Sequence, residues 1–263
     1  MVREPGGQVA EAGPGGTQAS GRAPAAFDEA DDELAVGLEV IGEAANYIEW
    51  IAAMCDPYLG GRVLEIGAGH GDLSQRFAVG RELMATDASE RCVRVLEERF
   101  AGSPSVSVRR LEAGAEPLEG AVVPFDSAVM VNVLEHIEDD AAVLAWVHSV
   151  LRPGGAVVLY VPALEALYSR FDRMIGHWRR YSKASLAAVV ESAGFEVVDL
   201  RYANSLGAVA WFVFCRLLGQ RTSRTWVVQA WDRLAVPVLR RAERVVRPPF
   251  GSSLFCAAVR RRQ

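Results

Sequence analysis

The clearest structural signal in the chain is VLEIGAGHG, Val63 to Gly71. A run of apolar, strand-forming residues leads directly into three glycines at alternate positions, Gly67, Gly69 and Gly71. Glycine fits where a chain turns sharply with positive φ, or where the backbone must approach a ligand closely. A strand that ends in such a turn before a helix is typical of open α/β sheets, whose ligands bind beyond the carboxyl ends of the strands.

Outward from this turn, short apolar runs alternate with amphipathic helical segments. Strands are predicted at 62–66, 83–86, 106–110, 127–131, 156–161 and 196–202, and helices at 43–58, 72–79, 89–101, 139–150 and 183–193. This alternation predicts an α/β fold with a doubly wound parallel sheet and helices on both faces.

The end of the chain departs from the repeat. Two apolar helical segments, about 205–219 and 225–246, form a helical insertion at 205–247, and the run at 252–260 then reads as a final strand. Because no crossover helix follows the insertion's Pro248-Pro249 break, this strand is expected to pair antiparallel with the preceding one. The prediction is therefore a seven-stranded, mostly parallel sheet whose last strand is antiparallel.

Composition fits one globular domain at 28–263. The chain has 263 residues, 51% of them hydrophobic, and a net charge of −5, which gives no overall sign of nucleic-acid binding. Residues 1–27 carry few large apolar side chains, so a disordered tail is expected there. The four cysteines form no C-x-x-C pair, and no metal is expected. No signal pattern and no apolar run of about 20 residues is present, which predicts a cytoplasmic protein without a transmembrane segment.

The insertion and the tail of the chain are basic. From 216 to 263, eleven arginines stand against two acids, a local balance of +9. Two interpretations remain open: a solvated outer face of amphipathic helices, or a surface for an anionic ligand or membrane. The apolar residues of 205–247 can wall a pocket, form a homodimer face or add to the core.

The loop's spacing favours S-adenosylmethionine (SAM) over NAD. The dinucleotide pattern G-x-G-x-x-G places a glycine three residues after its second glycine. Here Asp72 holds that position and Gly71 comes one residue early. An acid at the start of a helix repels a pyrophosphate. SAM lacks phosphate, and an acid favours its cationic amino group.

Asp87 ends the second predicted strand, twenty residues after Gly67. A carboxylate at this place can accept two hydrogen bonds from a ribose diol, a role shared by both cofactor classes. The alternative is an N-cap for the helix that starts near Ser89 and Glu90, and both roles can hold together.

The full motif series resembles class I SAM-dependent methyltransferases. The resemblance rests on EIGAGHG (65–71), TDAS (86–89), FDSAVMVNVLEHIEDD (125–140) and LRPGG (151–155), and it covers about 44–200. It implies a Rossmann-like, seven-stranded sheet with an antiparallel last strand. It also implies SAM as cofactor, with S-adenosylhomocysteine as product.

The resemblance further implies which residues hold SAM. It assigns the amino-acid part of SAM to Tyr47, Glu65, Gly67, Ala68, Gly69 and Gly71; the ribose and adenine to Asp87, Ala88, Glu112 and Ala113; and the methionine side to Asn132 and Val133. Tyr47 in this interpretation is a lid residue on the first helix, and simple helix packing is its alternative.

Two regions supply candidates for catalysis. His136, in LEHIEDD, follows the fourth strand at its ligand end and is a candidate general base, with orientation of the loop or capping of the next helix as the alternatives, and Glu135 has a similar standing. The segment 168–181, which covers the substrate pocket in this family, adds His177 and Tyr181 as further catalytic candidates. Substrate-binding candidates in the same segment are Tyr168, Trp178, Arg179 and Arg180, where an arginine can clamp a carboxylate or phosphate or simply pair with a surface acid.

The function predicted from these features is methyl transfer from SAM to a small-molecule acceptor, with O-methylation in bacterial specialised (natural-product) metabolism as the leading hypothesis. N- or C-methylation of a similar small molecule and a non-catalytic SAM-binding protein are the alternatives. No nucleic-acid partner is expected, because no RNA-binding module is appended.

Overall fold

The computed structural model describes residues 44–114, 124–213 and 225–261. The predicted tail at 1–27 and the 214–219 part of the first insertion helix lie outside the described residues.

Seven strands form one mixed sheet. They are β1 (Arg62–Ile66), β2 (Glu82–Asp87), β3 (Val106–Arg110), β4 (Phe125–Val131), β5 (Leu151–Pro162), β6 (Phe195–Ala203) and β7 (Ser253–Arg260). The spatial order is β3-β2-β1-β4-β5-β7-β6. The first five strands pair in parallel, and β7 lies antiparallel between β5 and β6. The predicted class I methyltransferase architecture is confirmed.

Helices connect and flank the strands. Those of the described residues are α1 (Ala45–Cys55), α2 (Ser74–Phe77), α3 (Glu90–Phe100), α4 (Asp140–Val150), α5 (Arg170–Met174), α6 (Lys183–Ser192), α7 (Ser205–Trp211), α8 (Thr225–Leu234) and α9 (Val236–Val245). The prediction of a single helix at 225–246 is wrong, because the helix is interrupted at Ala235, which separates α8 from α9. Pro237 lies in the first turn of α9, where its missing N–H costs no helical hydrogen bond.

The core lies on both faces of the sheet, because alternate strand residues point to opposite sides. On β1, Leu64 packs with α4 and α6, whereas Val63 packs with α1, α2 and α9. The core on the Val63 face includes Val236 and Leu239 of the insertion, both buried. Part of the insertion is therefore extra core, although Trp226 and Leu234 of α8 are exposed.

The start of α1 is held by the insertion. Asp232 of α8 is buried, and its carboxylate accepts hydrogen bonds from the backbone N–H of Asn46 (3.1 Å) and of Tyr47 (2.8 Å). The Asn46 side-chain amide also donates to this carboxylate, at 3.0 Å. Residue 44, which precedes α1, supplies no side-chain cap. Asp232 therefore does from a distance what an N-cap residue does locally.

The strand order creates a crevice at one edge of the sheet. The chain moves outward from β1 to β2 and β3, and then returns to place β4 on the other side of β1. The loops that follow β1 and β4 therefore leave neighbouring strands in opposite directions. Such a switch point is where open α/β sheets bind their ligands.

Candidate active site

The glycine loop lies at this switch point. Gly67, Gly69 and Gly71 have φ of +72°, +55° and +85°, which only glycine adopts without strain. The N–H groups of Gly67 and Ala68 both donate to the carbonyl of Thr86, at 2.8 and 2.9 Å, and this fastens the loop to the end of β2. A Cβ on Gly67 would lie 2.3 Å from Val133 Cγ2, so this glycine is also required for packing against the loop after β4.

Asp87 joins the ends of β1 and β2. One carboxylate oxygen accepts from the N–H of Gly69 and the other from the N–H of Ser89, both at 2.9 Å. The N-cap of α3 is Ser89, whose hydroxyl accepts from the Cys92 N–H, so the N-cap alternative for Asp87 is wrong. Each carboxylate oxygen has a second lone pair with which it can accept from a ribose hydroxyl.

Glu65 provides a buried acid beneath the loop. Its side chain is 4% exposed and accepts a hydrogen bond from the Ser74 hydroxyl at 2.5 Å. Burial raises the pKa of Glu65 to about 8, with the charge of Asp87 adding to the effect and the Ser74 hydrogen bond opposing it. A carboxylate that is costly to ionise alone suits a ligand with a positive charge, such as the ammonium group of SAM. The residues present therefore fit this cofactor.

The other positions assigned to SAM surround the same edge. Asn132, immediately after β4, adopts φ +52° and donates its N–H to the carbonyl of Tyr160 at 2.7 Å. Its side chain is exposed, as are those of Ala88 and Glu112, and Ala113 is half-buried. These residues stand at the carboxyl ends of β2, β3 and β4, where the prediction placed them, and their contact with SAM stays a prediction.

Tyr47 is turned towards the sheet. Its hydroxyl lies 2.8 Å from the hydroxyl of Tyr160, and its ring packs edge-on against Trp50 and Tyr160. Burial raises the pKa of Tyr47, so the hydroxyl stays protonated near neutral pH. The packing alternative is thus what the structure displays, and contact with the SAM carboxylate stays a prediction.

Beside the glycine loop, one carboxylate and two imidazoles come together: Glu135, His136 and His177, here called the ionisable cluster. Glu135 and His136 lie in the short 3-10 helix Leu134–His136, which begins directly after Val133. The His177 ring stands edge-on to the His136 ring, with centroids 4.6 Å apart, and its Nε2 is 3.8 Å from Glu135 Oε1. The cluster is therefore one short turn from the residue that packs on Gly67.

The protonation states of the ionisable cluster follow from its burial. Glu135 is fully buried, and burial raises its pKa to about 8, with the nearby charge of Arg180 opposing the shift. Burial, helped by the neighbouring His177, lowers the pKa of His136 to about 4. His136 is therefore a neutral imidazole at physiological pH, with a lone pair available to a proton or a metal ion.

Asp172 orients His177. Its carboxylate is fully buried and receives His177 Nδ1 at 3.1 Å, Arg180 Nε at 2.8 Å, and the N–H and hydroxyl of Ser169 at 2.7 and 2.8 Å. Burial alone would raise its pKa, but the hydrogen bonds from His177 and the charge of Arg180 outweigh this and lower the pKa to about 2. With Nδ1 engaged by a carboxylate, His177 presents Nε2 to Glu135.

The predicted substrate arginines are paired within the chain. Arg180 is 6% exposed and binds Asp172, and Arg179 forms an ion pair with Asp140 at 2.6 Å. The alternative of pairing with acids, rather than with a substrate anion, is what the structure displays for both.

Two of the three aromatic candidates in this segment, Tyr168 and Tyr181, form hydrogen bonds within the protein, whereas Trp178 is exposed. Tyr181 is 2% exposed and donates its hydroxyl to Asp140 at 2.8 Å, and Tyr168 donates to the His177 carbonyl at 2.8 Å. Burial raises the pKa of Tyr181. Tyr181 is thus placed to anchor the segment, and not to exchange a proton with an acceptor. Trp178, by contrast, is 51% exposed, and its side chain remains free to contact a substrate.

The sequence assigned no role to two acids that hold the site and its surroundings in place. Asp172 forms a capping box with Ser169, and the S-x-x-D pattern at 169–172 is a local signal that can reveal it. Asp232 caps a helix 185 residues away in the chain, and no local pattern reveals that contact.

Fold and site together define a Rossmann-like nucleoside-binding enzyme of the methyltransferase type. A family model described as "Methyltransferase domain" matches residues 41–200. The chain belongs to this family, and it is a class I SAM-dependent methyltransferase whose cofactor is SAM.

Relatives agree with this assignment. The chain is 27% identical over 167 residues to a ubiquinone biosynthesis O-methyltransferase of Xanthomonas axonopodis pv. citri, covering 58% of this chain and 70% of that protein. It is 34% identical to the protein of the same name from Ruegeria pomeroyi, covering 54% and 63%. The matched region thus spans about two thirds of the length of these two curated relatives.

Among solved structures, a phosphoethanolamine N-methyltransferase 2 of Haemonchus contortus in complex with SAM has the same fold, with a TM-score of 0.53 and 19% identity over 77% of this chain and 49% of that one. Within the described ranges, no helix has the length and apolar character needed to cross a membrane.

Proposed function

We propose that this methyltransferase methylates an oxygen atom of a small biosynthetic molecule, and that the acceptor hydroxyl loses its proton at the ionisable cluster. The observation that carries the proposal is the convergence of Glu135, His136 and His177 one short turn from Val133, the residue that packs on Gly67. An amine in its neutral form already offers a lone pair, whereas a hydroxyl is a poor nucleophile until its proton is removed.

When bound, SAM supplies an electrophilic methyl group: an acceptor lone pair forms the new bond to carbon while the carbon–sulfur bond breaks and its electrons remain on sulfur. The chain's residues have a positioning task. Glu65, Asp87 and the glycine loop would hold the cofactor, and the ionisable cluster would hold the acceptor oxygen. Fixing two reactants in line can contribute roughly 7–11 kcal/mol to lowering the barrier.

The relatives support an oxygen acceptor. Two proteins similar to this chain over more than half its length are named ubiquinone biosynthesis O-methyltransferases. Exposed Trp178, which follows His177, offers an apolar ring beside the cluster for the body of the acceptor.

The proposal is tested with SAM carrying a ¹³C-labelled methyl group and a panel of phenols, hydroxy acids, amines and carbon nucleophiles. We expect release of S-adenosylhomocysteine with the phenols or hydroxy acids, and a product NMR shift typical of an O-methyl group. Asp87→Ala is the control that removes cofactor binding. Methyl groups found only on nitrogen or carbon would contradict the proposal.

A further inference from the structure

The side chain of Glu135 has an unusual environment for a buried carboxyl group. The residue is fully buried, and neither of its carboxylate oxygens has a hydrogen-bond partner within the described part of the chain. Buried carboxylates are normally satisfied by hydrogen bonds, an ion pair or a metal ion, because an unpaired one is costly. His177 Nε2 lies 3.8 Å from Glu135 Oε1, which is too far for a hydrogen bond.

His177 is held as metal-binding histidines usually are. Its Nδ1 is engaged by Asp172 at 3.1 Å, and this leaves Nε2 directed at the Glu135 carboxylate. Histidine ligands commonly donate their second N–H to a carboxylate, which fixes the tautomer and the ring orientation. Asp172 is itself held by Ser169 and Arg180, so the supporting contacts are complete.

His136 supplies the third donor. One atom from each of Glu135, His136 and His177 lies within 4.8 Å of the other two. Two imidazole nitrogens and one carboxylate oxygen form a donor set that suits divalent transition ions, whereas Mg²⁺ and Ca²⁺ prefer oxygen donors alone.

We propose that Glu135, His136 and His177 bind a divalent transition-metal ion of the Zn²⁺ class. The expectation of no metal rested on the scattered cysteines and overlooked a site built from histidine and carboxylate. Donors at about 2.0–2.2 Å from Zn²⁺ cannot be more than about 4.4 Å apart, so binding draws the side chains together slightly. Such a contraction would satisfy the Glu135 oxygens.

Three protein ligands leave a coordination position open, as in catalytic zinc sites. The role of that position rests on the proposed function: it would take the acceptor hydroxyl. The bound O–H bond then breaks heterolytically, the proton goes to solvent, and the electron pair stays on the metal-bound oxygen as the nucleophile. In this arrangement His136 and His177 act as ligands, and the ion performs the activation assigned to the cluster.

The binding test does not depend on activity. Untagged protein is treated with a chelator and titrated with Zn²⁺ by calorimetry and with Co²⁺ by visible absorption, which reports the coordination of that ion. We expect one ion per chain and Co²⁺ bands typical of mixed nitrogen and oxygen ligation. Glu135→Gln and His177→Ala should weaken binding at least about tenfold, and so should Asp172→Asn, which removes the support for His177.

His148→Ala is the matched control, because His148 is a half-buried histidine that packs on Phe195 away from the cluster. Its metal affinity should equal that of the wild type, and thermal unfolding shows whether each variant is folded. No binding to wild-type protein, or equal binding by the Glu135→Gln and His177→Ala variants, would overturn the metal site.

Activity then separates the two proposals. Metal-dependent O-methylation supports both. O-methylation that is equally fast in the metal-free protein would overturn the role of the ion and leave the proposed function intact. Stoichiometric metal binding with methyl transfer only to nitrogen or carbon would overturn the proposed function and leave the site.

Discussion

At the scale of single residues, Gly67 is limited by both its backbone and its surroundings. Its φ is +72°, and an added Cβ would lie 2.3 Å from Val133 Cγ2. We expect Gly67→Ala to lower the free energy of unfolding by about 1–2 kcal/mol for the left-handed backbone and by about 1–3 kcal/mol more for overpacking. SAM affinity measured by calorimetry should fall with it, because Val133 must move.

Gly80 offers a matched comparison for this prediction. Its φ is +69°, but a Cβ there would meet nothing within 4 Å. Gly80→Ala should therefore show only the backbone part of the loss and bind SAM like the wild type. Equal stability losses in the two variants, measured by urea unfolding, would mean that contact with Val133 does not constrain the loop.

Glu65 is predicted to support SAM binding at a cost in the folding stability of the protein. The pKa of Glu65 is raised to about 8 in the folded protein from 4.5, so the folded state holds an extra proton between these values. Stability should therefore fall as pH rises from about 4.5 to 8. Glu65→Gln should flatten this fall and raise the melting temperature at pH 8, while weakening SAM binding about tenfold or more.

The comparison variant for Glu65 is Glu82→Gln, at the exposed start of β2. It should leave the SAM affinity at the wild-type value. A Glu65→Gln variant that melts at the wild-type temperature at pH 8 and binds SAM unchanged would exclude a buried acid poised for the cofactor ammonium.

Among the secondary-structure elements, six predicted strands lie within two residues of those observed, because their signal is local, whereas β5 begins at Leu151, five residues before its predicted start. An apolar run closed by glycine or by a helix start identifies β1 to β5 from within a short window. The interruption at Ala235 could not be predicted from the same signal, because the apolar pattern continues through it. Only Pro237 marks the start of a new helix.

Contacts between distant elements could not be predicted in this way. The capping of α1 by Asp232, the pairing of Arg179 with Asp140 and the approach of His177 to Glu135 each join segments far apart in the chain. The composition of 168–181 indicated a functional segment. It did not indicate which side chains would form ion pairs within the protein. The pairing depends on where the fold places the acids of other segments.

The capping of α1 is testable at this scale. Asp232→Ala removes the acceptor for two backbone N–H groups and should lower the free energy of unfolding by about 1–2 kcal/mol. Asp232→Asn keeps one carbonyl oxygen as acceptor and should lose less. Chemical denaturation of both variants measures the effect, and an Asp232→Ala variant as stable as the wild type would show that α1 is capped by water.

At the scale of the whole molecule, the buried pair of Asp172 and Arg180 fastens the segment after β5 to the sheet. Arg180 donates to Asp172 and also to the carbonyl of Ala163 at the end of β5. Asp172→Asn leaves the guanidinium buried without its counter-charge, and breaking such a pair typically costs about 3–5 kcal/mol. Denaturation should show that loss as a shift of one cooperative transition.

A double-mutant cycle decides whether the pair itself or the orphaned charge is responsible. Arg180→Met removes the charge and keeps much of the volume, so the double variant Asp172→Asn, Arg180→Met should be more stable than Asp172→Asn alone. The double variant should recover stability but not activity. Methyl transfer should stay low because His177 still lacks its carboxylate partner. Recovery of both properties together would mean that Asp172 serves only to neutralise Arg180, and that the orientation of His177 is set by packing.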